Sequence, residues 1–460
     1  MESVKNVAIV VAGGSGTRMG QDIPKQFINV FDKPVLIYTL ESFQRHPDID
    51  AIEVVCIEGW ETMVEAYSKQ FNIDKLKWIV RGGASVQESI RNGVEFLADK
   101  ISEEDNVIIH DGIRPLIDAE YCANLPLQWD KLADKTIAIS GATGMIGTFL
   151  IDVLMKKNED PKFNCQIIAI GRNKSRARSR FPYFDEAHFH FEQLDVSIPG
   201  VRPNRPADVV IHLASTTHPR AYASEPVSTI TSNVTGLQNL LEYSLVGGND
   251  HRDGRFVFAS SVEIYGKNRG DAERFDEQYC GYIDPNTLRA GYPEAKRLGE
   301  ALCQAYSEQH GIDFVIPRIA RTYGPTLHKD DSKALSQFIH KGLMKEDIIL
   351  KSEGTQLFSY AYVADTVAGL LYCLLEGESR SAYNIAAPIS DCRLKDLASL
   401  VASKCGVNVH FELPDSLETK GYSTATVALM DGHKLQTLGW NMKYSIEEGI
   451  GRTLSIMRND

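Results

Sequence analysis

Tyr292 and Lys296 stand four residues apart in the run YPEAK, so both side chains project from one face of a predicted helix. An ammonium group beside a phenol lowers the tyrosine pKa, and the phenol can then take a proton from a substrate hydroxyl. Ser261, at the end of the predicted strand FVFASS, is placed to hydrogen-bond the same substrate oxygen. A YxxxK spacing occurs by chance in many helices, so its meaning depends on the elements around it.

A glycine-rich turn, GATGMIG, lies upstream of this helix. Gly141 permits a tight turn, Gly144 brings the backbone near a pyrophosphate, and Gly147 lets the next helix pack on the strand. The turn follows the predicted strand Thr136–Ser140 and opens an apolar helix, which is the context of a dinucleotide site. The nicotinamide of such a cofactor carries the redox chemistry, and its positive charge would lower the tyrosine pKa further.

The loop after the next predicted strand, Gln166–Ile170, bears on the choice between NAD and NADP. An acidic residue there would bind a ribose 2′-hydroxyl, but the chain reads GRNKSRARSR, in which Arg172 and Lys174 can accept a 2′-phosphate. The sequence therefore favours NADP slightly over NAD, and the alternative is a solvated basic loop. The predicted cofactor site consists of Gly141, Thr143, Gly144, Met145, Ile146, Gly147, Arg172, Asp195, Leu213, Ala214, Ser215, Asn233, Tyr292 and Lys296.

A second nucleotide-binding pattern opens the chain with the predicted strand Val7–Val11, followed by AGGSGTRMG and PKQF. The glycines let backbone N–H groups approach a polyphosphate, and Arg18 and Lys25 can neutralise its charge. The run HDGIRPL places Asp111 at the carboxyl end of the predicted strand Val107–His110, where an aspartate can hold Mg²⁺. A glycine-rich turn alone also fits simple strand–helix geometry, so the three motifs together carry this prediction.

This first region resembles the cytidylyltransferases that join CTP to methylerythritol phosphate or ribitol phosphate with Mg²⁺ and release pyrophosphate. Val86 stands where that family usually has an arginine, and the resemblance stops near Leu125. About half of the family's catalytic domain is therefore absent, including the loop for the polyol phosphate, a second metal-side aspartate and a late lysine. The resemblance implies a CTP-like site, intact or vestigial, at Gly13, Gly14, Arg18, Lys25, Gly82, Gly83 and Ser89, with Asp111 on the metal.

Nucleotidyl transfer that depends on Mg²⁺ needs both metal clamping and positioning of the acceptor. We therefore expect the first region to be inactive, or at most a weak nucleotide binder, and the plainest interpretation is a half-domain that packs against the rest of the chain. The alternative is a bifunctional enzyme, in which the first region makes a CDP-polyol or CDP-sugar from CTP and the second region modifies it.

The region from about Lys135 onward resembles the extended short-chain dehydrogenase/reductases that act on nucleotide sugars. The matching runs are GATGMIG, HLAS, SSVEIYG, GYPEAKRLGEALC, PRIARTYGP and YVAD, and together they look most like UDP-glucuronate decarboxylases and dTDP-glucose 4,6-dehydratases. Those enzymes oxidise C4 of the sugar by hydride transfer, and the 4-keto group then labilises a neighbouring bond. The resemblance implies Ser261, Glu263, Tyr292 and Lys296 as catalytic residues, and the alternative for Glu263 is a salt-bridged supporting carboxylate.

Two departures from that family leave the reaction open. Thr326 stands where a basic residue commonly follows TYGP, and Phe358 stands where many relatives carry an arginine for the substrate pyrophosphate. Epimerase, dehydratase, decarboxylase and reductase outcomes all remain open. The remaining basic residues near these runs are Arg318, Arg321, Lys329, Lys333 and Lys341. The predicted substrate site consists of Thr216, Arg318, Arg321, Tyr323 and Lys333.

The composition excludes several other classes of protein. The chain has 460 residues and a net charge of −12, which argues against a general binder of nucleic acid or of anionic membranes. No apolar run reaches the roughly 20 residues that span a bilayer. The eight cysteines form no CxxC pair, which favours a reducing cytoplasm over a zinc or disulfide framework. A non-catalytic scaffold is disfavoured by the presence of Ser261, Tyr292 and Lys296.

We therefore predict an α/β chain with two Rossmann-like parallel sheets, of which the first is truncated and the second is complete. Residues 1–127 would form the partial nucleotidyltransferase-like domain, 128–134 a connector, and 135–460 the dehydrogenase-type region. Its cofactor core would cover about 135–318 and a smaller C-terminal substrate lobe would begin at 319. The resemblance also implies a homodimer through a bundle of the YxxxK helix and the helix that begins near Asn233.

Overall fold

The computed structural model describes residues 6–13, 24–27, 29–30, 33–46, 49–83, 86–102, 105–111, 117–215, 217, 222, 224–246, 254–328, 331–412 and 425–459. The chain divides into two compact units, Met1–Pro115 and Leu116–Arg458, and each is described by itself. Both contain a central parallel sheet with helices, which confirms the predicted α/β class. Within these ranges, no helix is both long and apolar enough to cross a membrane.

The first unit is an α/β fold that contains both strands predicted in the sequence analysis, Val7–Val11 and Val107–His110. Its strands are β1 (Asn6–Ala12), β2 (Asn29–Val30), β3 (Lys33–Pro34), β4 (Ala51–Cys56), β5 (Leu76–Arg81) and β6 (Asn106–Asp111). Its helices are α1 (Val35–Arg45), α2 (Glu61–Gln70) and α3 (Val86–Leu97). The main sheet has the order β5-β4-β1-β6 and is parallel throughout, and β2 and β3 form a separate antiparallel pair.

The two central strands of the first unit, β1 and β4, are rich in valine and isoleucine and buried along nearly their whole length. Their alternating side chains feed two cores, one on each face of the sheet. Val10 belongs to the core that contains Leu36 of α1, and Ile9 belongs to the core that contains Leu97 of α3. The described residues of the edge strand β6 belong to neither core.

The second unit is larger and combines one wide sheet with two small ones. Its strands are β7 (Thr136–Ser140), β8 (Gln166–Gly171), β9 (Phe189–Gln193), β10 (Val209–His212), β11 (Arg255–Phe258), β12 (Ser260–Ser261), β13 (Asp313–Ile319), β14 (Arg321–Tyr323), β15 (Ile348–Leu350), β16 (Leu357–Tyr362), β17 (Ser381–Ile385), β18 (Asp391–Arg393), β19 (Val409–Phe411) and β20 (Val427–Ala428). Its helices are α4 (Ile117–Ala123), α5 (Met145–Lys157), α6 (Lys174–Arg180), α7 (Pro226–Ser244), α8 (Gly291–His310), α9 (Ala334–Leu343), α10 (Val363–Glu376), α11 (Leu394–Cys405), α12 (His433–Gln436) and α13 (Ile446–Asn459).

The wide sheet has the order β12-β13-β11-β10-β7-β8-β9, with β17 beside β13, and every pairing in it is parallel. From β7 the chain runs outward through β8 and β9, then returns to β10 on the other side of β7. Open parallel sheets bind ligands at the carboxyl ends of their strands where the order reverses in this way. The fold therefore brings the GATGMIG turn after β7 and the HLAS run after β10 to one edge.

Two small sheets are formed by strands that follow β13 in the chain. One small sheet joins β14, β16 and β18, with β20 beside β16, and a second pairs β15 with β19. The helix α10 is buried on every side from Val363 to Leu375. Its leucine, valine and alanine side chains therefore fill the largest core of the unit instead of covering a surface.

The boundary between the units falls earlier than the sequence predicted. The helix α4 and the turn at Trp129–Lys131 lie in the second unit, because Cys122, Trp129 and Leu132 are buried in the same core as Ile137 of β7. The predicted connector 128–134 is thus packed structure, and the partial domain ends before α4 instead of at 127. Because the apolar residues Trp129 and Leu132 are buried, this stretch is packed against the core and does not act as a connector.

Candidate active site

The glycine-rich turn after β7 has no room for side chains at its first and last glycines. Gly141 has a φ of +72°, and a Cβ there would lie 2.7 Å from the backbone nitrogen of Ala214. A Cβ on Gly147 would lie 2.3 Å from the carbonyl oxygen of Gly141. The turn thus packs against the end of β10 and leads into α5, whose N-cap is Gly144. Such a cradle fits a dinucleotide, because bare backbone can approach the pyrophosphate at a helix N-terminus.

The other predicted cofactor residues lie along the same edge. Met145 and Ile146 form the first turn of α5, and the Oγ1 of Thr143 lies 3.8 Å from a Cβ built on Gly171 at the end of β8. The Leu213–Ser215 run follows β10 directly. The structure therefore gathers residues from the ends of three adjacent strands, as the sequence predicted for this site.

Arg172 and Asp195 follow β8 and β9 at this edge. Asp195 accepts hydrogen bonds from the backbone N–H and the hydroxyl of Ser197 at 3.0 and 2.6 Å. Burial would raise the pKa of Asp195, but these hydrogen bonds and the charge of Arg172 outweigh it and lower the pKa. Asp195 is therefore an anion that attracts Arg172. Elsewhere in the basic run, Arg178 is already paired with Asp185 at 2.9 and 3.0 Å.

Tyr292 is buried between two serines at the end of the wide sheet. It is 6% exposed, and its hydroxyl has the side chains of Ser261 and Ser215 as hydrogen-bond partners. Lys296, one turn further along α8, is 3% exposed and donates from Nζ to the carbonyl oxygen of Ala259 at 2.9 Å. Its Nζ lies 5.9 Å from the centre of the Tyr292 ring. The three residues predicted from spacing, Ser261, Tyr292 and Lys296, thus meet in one cluster.

The predicted lowering of the tyrosine pKa is not found in the protein alone. Burial raises the pKa of Tyr292 to about 12, and its hydrogen bonds with Ser261 and Ser215 only partly oppose this. Burial also lowers the pKa of Lys296 to about 8. A buried phenol and a buried ammonium each resist ionisation, so an additional positive charge beside Tyr292 is needed to make it a base near neutral pH.

Asn233 fixes one of the two serines. The Ser215 hydroxyl donates to Oδ1 of Asn233 at 2.7 Å, and the Asn233 amide donates to the carbonyl oxygen of Thr229 one turn earlier in α7. Asn233 is 1% exposed. The helix α7 therefore holds the run after β10 in place. The sequence predicted that this helix begins near Asn233, but it begins at Pro226, so Asn233 lies inside it.

Glu263 lies between two arginines. It accepts hydrogen bonds from Nη2 of Arg289 at 2.6 Å and from Nη2 of Arg321 at 3.2 Å. Burial would raise the pKa of Glu263, but the two guanidinium groups outweigh it and the pKa is lowered. This arrangement is the salt-bridged alternative for Glu263. The charge balance is uneven, since one carboxylate faces two guanidinium groups.

Two aromatic rings complete the cluster. Tyr222 stacks on Tyr292 with ring centres 5.1 Å apart, and the Arg289 guanidinium lies 4.9 Å from the Tyr222 ring centre. Arg321 lies 3.9 Å from the ring centre of Phe358. Among the described residues, Nε and Nη1 of Arg289 and Nε of Arg321 are buried without a hydrogen-bond partner.

Sequence reasoning missed Tyr222 and Arg289. Arg289 stands three residues before Tyr292, and its position beside the YxxxK helix was the signal that could have identified it. Tyr222 belongs to no recognisable motif, and only its stacking on Tyr292 reveals it.

Two of the predicted substrate residues serve the fold instead. Arg318 donates to both carboxylate oxygens of Glu300 at 3.0 and 2.6 Å and to the Tyr265 hydroxyl at 3.0 Å, so its guanidinium ties β13 to α8. Tyr323 is 1% exposed and lies in the main core, which does not support a role at a ligand. Lys333 precedes α9, with Nζ 3.8 Å from Asp331, and Thr216 lies outside the described residues.

The first unit brings together four residues of the predicted CTP-like site. The N–H of Gly83 donates to the Ser89 hydroxyl at 2.9 Å, and a Cβ on Gly13 would lie 2.8 Å from the same oxygen. A Cβ on Gly82 would lie 3.0 Å from that oxygen and 3.2 Å from the Cα of Gly13. Strand ends β1 and β5 thus converge on the start of α3 around a buried serine.

The rest of the predicted CTP-like site is not described. Gly14 and Arg18 lie outside the described residues, and the side chains of Lys25 and Asp111 lie outside them too. The backbone places Lys25 in a short 3₁₀ turn and Asp111 at the end of β6, as predicted. Within the described ranges, no three histidine, cysteine, aspartate or glutamate side chains are grouped to hold a metal ion.

Comparison with known proteins identifies both regions. Residues 6–143 match the 2-C-methyl-D-erythritol 4-phosphate cytidylyltransferase family. The chain is 59% identical to the ribitol-5-phosphate cytidylyltransferase of Lacticaseibacillus paracasei over 132 aligned residues. These residues are 29% of this chain. The chain spans only 56% of the length of that relative.

The second region has relatives along most of its length. It is 30% identical over 331 residues to UDP-glucuronic acid decarboxylase 3 of Arabidopsis thaliana, which covers 71% of this chain and 90% of that protein. The solved dTDP-glucose 4,6-dehydratase of Streptomyces venezuelae superposes with a TM-score of 0.60 at 22% identity, covering 70% of this chain and 97% of that one. The UDP-glucose 4-epimerase of Thermotoga maritima superposes with a TM-score of 0.58 at 21% identity. The superposition covers 70% of this chain and 98% of that one.

These likenesses confirm the predicted resemblances and the Rossmann-type fold of the second unit. The chain carries a cytidylyltransferase-like segment at its start. Residues 137–386, more than half of its length, match the NAD dependent epimerase/dehydratase family, and the chain belongs to that family.

Proposed function

We propose that the second unit is an NAD(P)-dependent enzyme that modifies the sugar of a nucleotide sugar through a 4-keto intermediate. The observation that carries this proposal is the buried Tyr292 hydroxyl, which has Ser261 and Ser215 as partners beside the buried ammonium of Lys296. A phenol held by two hydroxyls at the carboxyl edge of a dinucleotide-type sheet suits proton removal from a sugar hydroxyl. The decarboxylase, dehydratase and epimerase relatives are all named for nucleotide-sugar substrates.

The cradle of Gly141, Gly144 and Gly147 would hold the cofactor pyrophosphate. A bound nicotinamide would supply the hydride acceptor and the positive charge that Tyr292 lacks in the protein alone. Tyr292 takes the proton of the sugar hydroxyl, and Ser261 hydrogen-bonds the same oxygen. Lys296 stays charged by donating to the Ala259 carbonyl, and it stabilises the phenolate electrostatically.

The cluster around Glu263 bears on the choice of reaction. Its lowered pKa and two ion pairs favour a carboxylate that positions Arg289 and Arg321 over one that exchanges protons. The unpartnered N–H groups on both arginines suit an anionic group of the substrate. Epimerase, dehydratase, decarboxylase and reductase outcomes stay open within this proposal. Arg172 supports NADP, whereas the name of the family and the solved relatives favour NAD.

We infer that the first unit does not turn over CTP, because it carries only part of the domain that its relative uses. The clustering of Gly13, Gly82 and Gly83 around Ser89 supports a nucleotide-binding remnant. The second candidate is a bifunctional enzyme, and the 59% identity to a ribitol-5-phosphate cytidylyltransferase favours it. In that case the product of the first unit would belong to the substrate class of the second.

Native mass spectrometry of the purified chain tests the cofactor directly. We expect retained NAD or NADP at one molecule per chain, and its mass decides between them. Incubation with a panel of UDP-, dTDP- and CDP-sugars, followed by chromatography, is then expected to show conversion of at least one. No conversion of any sugar together with no bound dinucleotide would contradict the proposal.

A separate assay addresses the first unit. The chain is incubated with CTP, Mg²⁺ and either ribitol 5-phosphate or methylerythritol 4-phosphate, and pyrophosphate is measured. We expect none above the level of a control without acceptor. Release that depends on the acceptor would establish the bifunctional alternative.

The surface of α7 and α8 supports the expected homodimer. Val227 and Ile230 on α7 are 72% and 43% exposed, and Leu298 on α8 is 48% exposed. Apolar side chains on two adjacent helices fit a four-helix bundle with a second copy. Light scattering at micromolar concentration is expected to give twice the chain mass, and a monomer would contradict this arrangement. The eight cysteines all lie within the described residues and form no disulfide bond, which suits the expected reducing cytoplasm.

A further inference from the structure

The strand β6 is the least covered strand of the first unit. Val107, Ile108 and Ile109 are 36%, 40% and 46% exposed, although all three are branched apolar residues. Three consecutive residues of a strand point to both of its faces, so each face of β6 is only partly covered. By contrast, Val7–Ala12 of the neighbouring strand β1 are buried.

One backbone edge of β6 is open as well. It pairs in parallel with β1 from Asn106 to Asp111, and no described residue pairs with its other edge. Natural edge strands are usually protected by lysine, proline, a bulge or a covering element. The run Val107–Ile109 has none of these residue types, and the register with β1 is regular. An apolar, regular and open edge of this kind is typical of a strand that continues into further sheet.

The cytidylyltransferase relative indicates what would continue the sheet. This chain spans 56% of that protein at 59% identity, so 100 − 56 = 44% of the relative has no counterpart here. The described sheet of the first unit stops at β6, and the chain enters the second unit at Leu116. The other edge strand, β5, carries the charged residues Lys77 and Arg81, so we take the apolar edge of β6 as the place where the absent part of the fold would continue the sheet.

We propose that the β6 edge is a docking surface for a separate polypeptide that carries the second half of a cytidylyltransferase domain. The partner adds a strand to the open edge and covers Val107, Ile108 and Ile109 with apolar side chains. A second copy of this chain is a poorer fit. If two copies paired antiparallel about Ile108, Asp105 of one copy would lie opposite Asp111 of the other. These like charges would repel each other. This inference concerns the first unit and does not depend on the chemistry proposed for the second.

The test uses the full chain co-expressed with a tagged fragment of the Lacticaseibacillus paracasei enzyme, namely the part that this chain does not match. We expect the two polypeptides to co-purify in a 1:1 ratio. Hydrogen exchange of residues 106–111 is expected to slow at least tenfold in the complex. Ile108→Lys should weaken the association at least tenfold, and Ile108→Thr, which keeps the branched shape, should weaken it less.

Met63→Lys is the matched control, because Met63 is an apolar residue of α2 in the same unit and is 42% exposed. It should leave the association unchanged. Failure to co-purify, equal sensitivity to Met63→Lys, or protection away from residues 106–111 would overturn the proposal. Self-association of the chain alone that Ile108→Lys abolishes would also overturn it, since the occupant would then be a second copy. Conversion of sugar nucleotides in the same samples reports separately on the second unit.

Discussion

The two units begin alike and end differently. In each, a buried valine- or isoleucine-rich strand enters a glycine-rich segment, β1 in the first unit and β7 in the second. In the second unit the sheet grows to eight strands, and the ends of β10 and β12 bring Ser215 and Ser261 to Tyr292. In the described part of the first unit the main sheet has four strands, and its last strand, β6, is partly exposed. A glycine-rich turn thus marks a place for a nucleotide, but the chemistry depends on the strands beside it.

Buried carboxylates show the same contrast. In the second unit Glu263 has two arginine partners. In the first unit Glu53 of β4 is fully buried, and among the described residues neither of its oxygens has a hydrogen-bond partner. Burial raises the pKa of Glu53 to about 8, with only a weak opposing effect of Lys100. Its arginine partners keep Glu263 ionised, whereas burial keeps Glu53 protonated.

After the substitution of Tyr292, the largest effect is expected from closing the glycine-rich cradle of the second unit. In Gly147→Ala the added Cβ would lie 2.3 Å from the carbonyl oxygen of Gly141, so the turn must shift. We expect retained cofactor to be lost and sugar conversion to fall at least about 100-fold. Gly451→Ala is the control, since its Cβ would meet only the Lys404 side chain at 3.8 Å. Native mass spectrometry measures the cofactor content of both variants. A Gly147→Ala protein that keeps its dinucleotide would contradict the proposal that this turn holds the cofactor.

Removing the charge of Glu263 is expected to destabilise the second unit most. Glu263→Gln leaves two buried guanidinium groups without an anion, at a cost of about 4 kcal/mol in the free energy of unfolding. The double variant Glu263→Gln/Arg321→Gln should recover part of that loss. Chemical denaturation measures the stability, and the pH profile of kcat separates a positioning role from proton exchange. A shifted profile in a variant that stays folded would show that Glu263 exchanges protons.

The hydrogen bonds of Asp118 show to which unit the start of α4 belongs. It lies in the stretch that matches the cytidylyltransferase family, yet it accepts hydrogen bonds from Tyr362 at 2.5 Å, Tyr444 at 3.0 Å and Arg452 at 3.2 Å within the second unit. We expect Asp118→Asn to destabilise the second unit by about 3 kcal/mol. The exposed Asp130 gives the control Asp130→Asn, which should change little. Equal effects of the two substitutions would place the boundary elsewhere.

The smallest effect is a pH dependence confined to the first unit. The pKa of Glu53 rises from 4.5 in the unfolded chain to about 8 in the folded unit, so the folded state holds the proton more tightly. Its contribution to stability is complete below pH 4.5 and is lost as the pH rises to 8. Between pH 6 and 8 we expect a loss of about 2 kcal/mol. Glu53→Gln should remove that dependence, as followed by hydrogen exchange of β1 and β4, and an unchanged slope would contradict the assignment.

The sequence predicts the parts of this structure that local pattern controls. The strands β1, β4 and β7 follow from runs of branched apolar residues, and the joint placement of Ser261, Tyr292 and Lys296 follows from their spacing on a strand and a helix. The strands and the Tyr292–Lys296 pair depend on neighbours within a few residues, so periodicity and turn chemistry suffice for them. Ser261 lies 31 residues before Tyr292, and its place was predicted from its position at the end of a strand.

What the sequence could not predict depends on distant partners. Arg318 was expected at a ligand, but Glu300 and Tyr265 engage its guanidinium. Trp129, which the sequence placed in a connector, is buried in the main core of the second unit. The raised pKa of Tyr292 depends on burial that only the assembled fold creates. No local pattern encodes such contacts between residues far apart in the chain.

The most direct test of the central claim compares the wild-type chain with Tyr292→Phe. Both proteins are purified with their bound cofactor, mixed with the sugar nucleotide that the panel identifies, and followed by absorbance of the reduced nicotinamide and by product chromatography. We predict equal cofactor content, an intact fold, and a rate of sugar conversion at least about 1,000-fold lower for Tyr292→Phe. Normal turnover by Tyr292→Phe with its cofactor bound would contradict the account.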